Sequence, residues 1–181
     1  NSGFGYQALY ENTTGQLNTA NGYDALLNNT TASYGTGVGA NALKGNTTGL
    51  GNTAVGTNAL ESNSTGEANT VSGWNSMPTN STGGYNVAMG VNTMFNNTSG
   101  SQNVALGSSA LYSSTSSEGN VSVGASSLYS NSTGNSNTAL GSNALTSTTQ
   151  GGNNVAIGYS AGRQNTTGSG NVFIGNEAGN T

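Results

Sequence analysis

Apolar residues in this chain come in pairs, a small one followed by a large one, and the pairs return at a fixed interval. Ala54-Val55, Ala88-Met89, Ala105-Leu106, Ala139-Leu140 and Ala156-Ile157 form one series, and Ala42-Leu43, Ala59-Leu60, Ala110-Leu111 and Ala144-Leu145 form a second; within each, members lie multiples of 17 residues apart. Polar Asn, Thr, Ser and Gly fill the intervals. The segment Asn-Val-Ala-Ile-Gly at 154–158 has the β-branched enrichment of a strand, and the Ala-Leu pair after the glycine predicts a second short strand. Asn-Thr-Thr-Gly then predicts the turn. Adjacent strand residues face opposite ways, so both faces of a thin coil are expected to be apolar. We expect Ala to line the narrow interior and the larger side chains to pack against partner chains, with the reverse assignment as the alternative; self-association, as a trimer, follows.

The period extends to every class of residue. Glycine recurs at Gly5, Gly22, Gly39, Gly56, Gly73, Gly90, Gly107, Gly124, Gly141, Gly158 and Gly175, and Asn opens every repeat except at Gly35. Ten full repeats and eleven further residues make up residues 1–181, with no insertion. Seventeen residues are too few for helical-hairpin repeats of about 33–34 residues or leucine-rich repeats of about 20–29. The fold expected is an all-β parallel β-solenoid, β-roll-like, in which each 17-residue coil stacks on its neighbours. At ~4.8 Å per rung such a rod is on the order of 50 Å long. Neither end shows a polar cap, so a single repeat array that continues into a longer fibre is expected. The first glycine column reads as a left-handed or crowded backbone position. A second column, including Gly15, Gly49, Gly66, Gly83 and Gly100, closes the Asn-Thr-Thr-Gly turn, where positive φ is the expected reason.

Composition narrows the functions. Hydrophobic residues are 31% and charged residues 4% of the 181, with no Cys and no His. Disulfides, Cys/His zinc sites and histidine acid–base chemistry are therefore excluded. Lys44 and Arg163 are the only side-chain cations, too few for a phosphate-binding stripe, so no nucleic-acid partner is expected. No apolar run approaches the ~20 residues of a membrane helix, and the opening Asn1-Ser2-Gly3-Phe4 lacks signal-peptide regions. No catalytic residue, metal site or cofactor is expected: among the carboxylates Glu11, Asp24, Glu61, Glu67, Glu118 and Glu177 no acidic pair or calcium cluster recurs from coil to coil.

The segments Ser-Gly-Asn-Val-Phe-Ile-Gly-Asn-Glu-Ala-Gly from Ser169 and Asn-Asn-Val-Ala-Ile-Gly-Tyr-Ser-Ala-Gly from Asn153 resemble repeats in the head domains of trimeric autotransporter adhesins. The Asn-Thr-Ala-Val-Gly-x-Asn-Ala-Leu units are also similar to phage tail-fibre repeats. Through the repeat this resemblance covers nearly the whole chain. It implies a trimerising, left-handed parallel β-roll and offers no catalytic residues. The adhesin repeat is shorter than the 17 residues found here.

Several positions invite chemistry. Asn12, Asn29, Asn46, Asn63, Asn80, Asn97, Asn131 and Asn165 share one phase, each followed two residues later by Ser or Thr. The pattern permits N-glycosylation in an exposed loop, whereas the plainer reading is turn chemistry. Thr13, Thr14 and their equivalents are the O-linked alternative. Asn52, Asn69, Asn86 and Asn103 predict an amide ladder along the rod, favoured over ligand binding. Tyr10, Phe95, Tyr112 and Tyr129 share a phase and suggest either interface packing or a stripe that stacks on sugars. An ice-binding threonine face is expected to be interrupted, because Thr19, Thr36, Thr53 and Thr70 give way to Val87, Val104 and Val121.

These features together predict a structural or adhesive segment of an extracellular, cell-surface or virion fibre rather than an enzyme. Its expected partner is itself, as a homotrimer or, alternatively, as a glycosylated head-to-tail filament, with a cell-surface glycan or receptor as a further partner.

Overall fold

The computed structural model describes residues 1–180. Eleven three-residue strands punctuate the chain: β1 (Ser2–Phe4), β2 (Thr19–Asn21), β3 (Thr36–Val38), β4 (Thr53–Val55), β5 (Thr70–Ser72), β6 (Val87–Met89), β7 (Val104–Leu106), β8 (Val121–Val123), β9 (Thr138–Leu140), β10 (Val155–Ile157) and β11 (Val172–Ile174). They stand in one sheet in chain order. Every neighbouring pair is parallel, and each residue faces the one 17 further on: Thr53 opposes Thr70 and Ala54 opposes Val71. The repeat length is therefore one circuit of the coil, and the all-β parallel solenoid expected from the period is what the chain forms.

Strand alternation holds where the backbone is extended. The central residue of each inner strand points inward: Ala54, Val71, Ala88 and Ala105 are fully buried, while the flanking residues are half-buried or exposed. The expected placement of small residues inside and larger ones outside is correct for this pair.

It fails for the Ala-Leu pair, which is a correction. No second strand forms there; the segment is a run of turns closed by three-residue bonds, with Ala59 N–H donating to the Gly56 carbonyl at 3.3 Å and Asn63 N–H to the Leu60 carbonyl at 3.4 Å. Alternation belongs to extended backbone, and Leu43 (φ 55°) and Leu60 (φ 52°) are left-handed. That twist turns Ala42 and Leu43 to the same side, and both are fully buried. A left-handed L-residue costs roughly 1–2 kcal/mol, and complete burial of a leucine recovers about 1.5–3 kcal/mol, so the inward leucine is worth its strain. The resulting column runs Leu26, Leu43, Leu60, Met77, Met94, Leu111, Leu128 and Leu145. Together with the alanines beside it, it makes one continuous core along the rod.

Two glycine columns permit the stacking, for reasons that differ. Gly39 has φ +129°, and a Cβ there would sit 2.6 Å from the Gly56 carbonyl oxygen, so this column is both left-sided and crowded, as expected. Gly83 is not in the positive-φ region. A Cβ at Gly83 would lie 2.6 Å from Asn80 Oδ1, so close approach, not the positive φ expected from the turn, requires glycine there.

Candidate functional site

Three polar ladders run the length of the rod. The Asn that opens each coil is buried in the inner repeats. Asn69 N–H donates to Asn52 Oδ1 at 2.9 Å, and Asn69 Nδ2 donates to the Gly83 carbonyl at 2.9 Å; the same pair of contacts recurs at Asn86, Asn103 and Asn120. Each amide thus ties one coil to the coils before and after it. Gly35 still donates its N–H to Asn18 Oδ1 at 2.7 Å but offers no side-chain acceptor to the next rung.

The second ladder consists of the turn asparagines. Asn80 Nδ2 donates to Asn63 Oδ1 at 2.7 Å and to the Gly83 carbonyl at 2.9 Å, and Asn97 Nδ2 donates to Asn80 Oδ1 at 2.8 Å. Asn29, Asn46, Asn63, Asn80, Asn97 and Asn131 are 0% exposed, and only Asn12 and Asn165, near the two ends, are partly open. In the folded coil the nitrogen a glycan would occupy already donates inside the rod at Asn29, Asn46, Asn63, Asn80, Asn97 and Asn131, and it is closed to solvent there. The plain turn reading is the one the geometry supports. Ser114 and Thr148 interrupt the ladder, and Asn131 Oδ1 is left buried without a partner.

The third ladder is built from the first hydroxyl of each turn. Thr13, Thr30, Thr47, Ser64, Thr98, Thr115, Ser132 and Thr149 each donate to the carbonyl of the residue 17 further on, at 2.9–3.2 Å.

The aromatic phase behaves differently from a sugar-stacking stripe. Phe95, Tyr112 and Tyr129 stack on one another with centroids 5.2 and 5.0 Å apart, so their inner faces are occupied by each other. Tyr10 stands apart and exposed; the other end stack is Tyr6 on Tyr23 at 5.2 Å.

Charged groups are few and scattered. Lys44 Nζ lies 2.8 Å from Asp24 Oδ2, and Asp24 is buried. That hydrogen bond, opposed by desolvation and aided by the charges of Asp24 and Glu61, raises the Lys44 pKa above 10.5. The Tyr85 hydroxyl donates to Glu67 Oε1 at 2.7 Å, and this bond with the adjacent carboxylate charge raises the Tyr85 pKa. Among the described residues there is no group of three potential metal ligands, no pocket, and no helix long and apolar enough to cross a membrane.

The outer face of the sheet carries the largest contrast. In β2 and β5 it presents Thr19 with Asn21 and Thr70 with Ser72, and in β3 and β4 Thr36 with Val38 and Thr53 with Val55; from β6 onward it presents Val87 with Met89, Val104 with Leu106, Val121 with Val123, Thr138 with Leu140, Val155 with Ile157 and Val172 with Ile174. None is buried: Val87, Val104, Leu106, Val121, Val123 and Val155 are partly exposed, Met89, Leu140 and Ile157 more so, and Val172 and Ile174 are 67% exposed.

One core substitution was not anticipated. In the last coils the leucine column ends at Gly162 and Gly179, and the strand-centre column gains Phe173. A Cβ at Gly162 would meet Phe173 Cδ2 at 2.6 Å and Leu145 Cδ2 at 2.9 Å, and one at Gly179 would meet the other edge of the same ring. One phenyl ring fills the room of two missing leucines. Reading the two columns side by side, Ala with Leu and Phe with Gly, is the sequence signal that identifies the exchange.

Comparison with protein-family models, with curated proteins and with solved structures finds no match for the chain.

Proposed function

We propose that the chain is a structural or adhesive segment of an extracellular or virion fibre, its shaft or receptor-facing part, and that it works as a homotrimer. The observation that supports this reading most is the outer sheet face from β6 to β11, two adjacent rows of side chains that are apolar except at Thr138 and carry no charge, on a chain only 4% charged. Six rungs at ~4.8 Å make a strip roughly 30 Å long. Contiguous apolar surface on a soluble chain marks an interaction site, and a second copy has the same rung spacing with which to interdigitate. The role is mechanical: stacked hydrogen bonds and repeated small cores give a stiff rod, and no catalytic step belongs to it. Native mass spectrometry tests it. Three chains are expected, and Leu140→Lys with Ile157→Lys is expected to yield folded monomers with an unchanged β circular-dichroism signature. The unaltered chain remaining monomeric at tens of micromolar would overturn the reading.

A further inference from the structure

The Asn-Thr-Thr-Gly turn contains two hydroxyls, and the fold treats them oppositely. The first is spent on the next coil's carbonyl, as at Thr47 to Ser64 at 2.9 Å. The second, from Thr14 to Thr167 at 17-residue intervals, is exposed in every coil and makes no hydrogen bond within the described residues. Nine of its ten occurrences are nevertheless Thr or Ser, Gln150 being the exception.

Other outward positions of the same coils drift freely. One runs Tyr23, Ala40, Thr57, Trp74, Val91; another runs Ser33, Leu50, Glu67, Gly84, Ser101. Repeat copying alone therefore does not explain the retention. A need for β-branching would admit Val or Ile, and neither occurs, whereas unbranched Ser99 and Ser116 do. A need for turn polarity would admit Asn or Asp, and neither occurs. What the position keeps is a free hydroxyl pointing to solvent, in nine rungs of ten.

We propose that this column is the acceptor for O-linked sugars, replacing the buried asparagines as the modification site of the rod. In the transfer, the threonine oxygen bonds to the anomeric carbon of a nucleoside-diphosphate sugar. The anomeric carbon–phosphate oxygen bond breaks, the nucleoside diphosphate leaves, and the hydroxyl proton passes to a base of the transferase. Exposed, unbonded Thr and Ser hydroxyls are the acceptors such modification needs, and a sugar coat supplies the hydration that a nearly uncharged rod lacks. The inference goes beyond the fibre reading and stands whether or not the chain trimerises.

Peptide mapping by electron-transfer fragmentation of the chain purified from the organism that makes it is the test. Hexose- or N-acetylhexosamine-sized additions are expected on Thr48, Thr65, Thr82 and their column mates, removed by alkaline β-elimination and absent from every Asn of the turn ladder. Thr65→Val is expected to lose the addition at its own turn and keep that at Thr48. Unmodified peptides across all the turns, or sugars on Thr47 and Ser64 instead, would overturn the proposal. Chain number, read separately from native mass, does not enter.

Discussion

The exchange of Phe173 for two leucines makes a quantitative prediction. Removing a buried phenyl ring costs about 3–5 kcal/mol, and because Phe173 is only partly buried, near the end of the rod, about 2–3 kcal/mol is expected for Phe173→Ala. In a solenoid each coil contacts only its neighbours, so the loss is local. Native-state hydrogen exchange is the suitable assay. The amides of Gly162 and Gly175, which donate to Ala178 and Ile157 at 2.7 and 2.8 Å, are expected to exchange roughly 30- to 150-fold faster. Those of β3 to β7 are expected not to change. The converse substitution, Gly162→Leu, should also destabilise, since its side chain enters the ring. Combined, the two should partly cancel: Gly162 has φ 61°, close to the 48–55° of the leucine column, and the pair restores the arrangement of the other coils on the Gly162 side while the space beside Gly179 stays empty. A neutral Gly162→Leu in the unaltered background, or additive losses in the double variant, would refute the compensation.

The ladders and charges give further expectations. Thr148→Asn gives the orphaned Asn131 Oδ1 a donor and should raise the denaturation midpoint by about 0.5–1.5 kcal/mol of stability; an unchanged midpoint would count against the ladder's energetic role. Asn80→Ala removes all three bonds of a buried amide, strands Asn63 Oδ1 and leaves Asn97 Nδ2 with the Gly100 carbonyl alone, for an expected loss of about 2–4 kcal/mol by urea titration. Both Lys44 and Tyr85 have raised folded pKa values. The stability each contributes is complete below its unfolded pKa and lost as pH rises through the folded one, so it should fall above about pH 10. Lys44→Met and Tyr85→Phe should each flatten part of that fall, and an alkaline limb identical in both variants would sink the assignment.

Much of this architecture was legible because the period is unbroken. Partners 17 residues apart follow directly from it, as does the stacking of Asn52 on Asn69, and extended backbone around Ala54-Val55 makes inside and outside readable from size. The Ala42-Leu43 pair was not legible by the same rule, since nothing about leucine signals a left-handed backbone. The hint was one step away, in Asn41, Asn58, Asn75 and Asn92, residues that tolerate that region and adopt it. The turn asparagines were ambiguous for another reason: the letters of a tight turn and of a glycosylation signal coincide, and only burial separates them. The second hydroxyl of the turn was equally hidden, because Thr47 and Thr48 look alike until one of them is bonded.

Why the period never slips follows from the same ladders. Each rung encloses only the strand-centre residue and the Ala-Leu pair, too little apolar bulk to fix register by packing alone. The apolar columns tolerate exchange, Leu for Met at Met77 or Leu for Gly with Phe173 in compensation. The polar columns are less forgiving, because an amide displaced by one residue leaves a buried donor and acceptor in each of two coils. A one-residue slip would also bring the outer strand side chains into an interior sized for alanine. An insertion would therefore break two buried amide ladders, a hydroxyl ladder and two crowded glycine columns together. In this rod the apolar core supplies burial, while the asparagines specify which coil stacks on which and in what register, so uniform repeat length is a consequence of hydrogen bonding more than of hydrophobic packing.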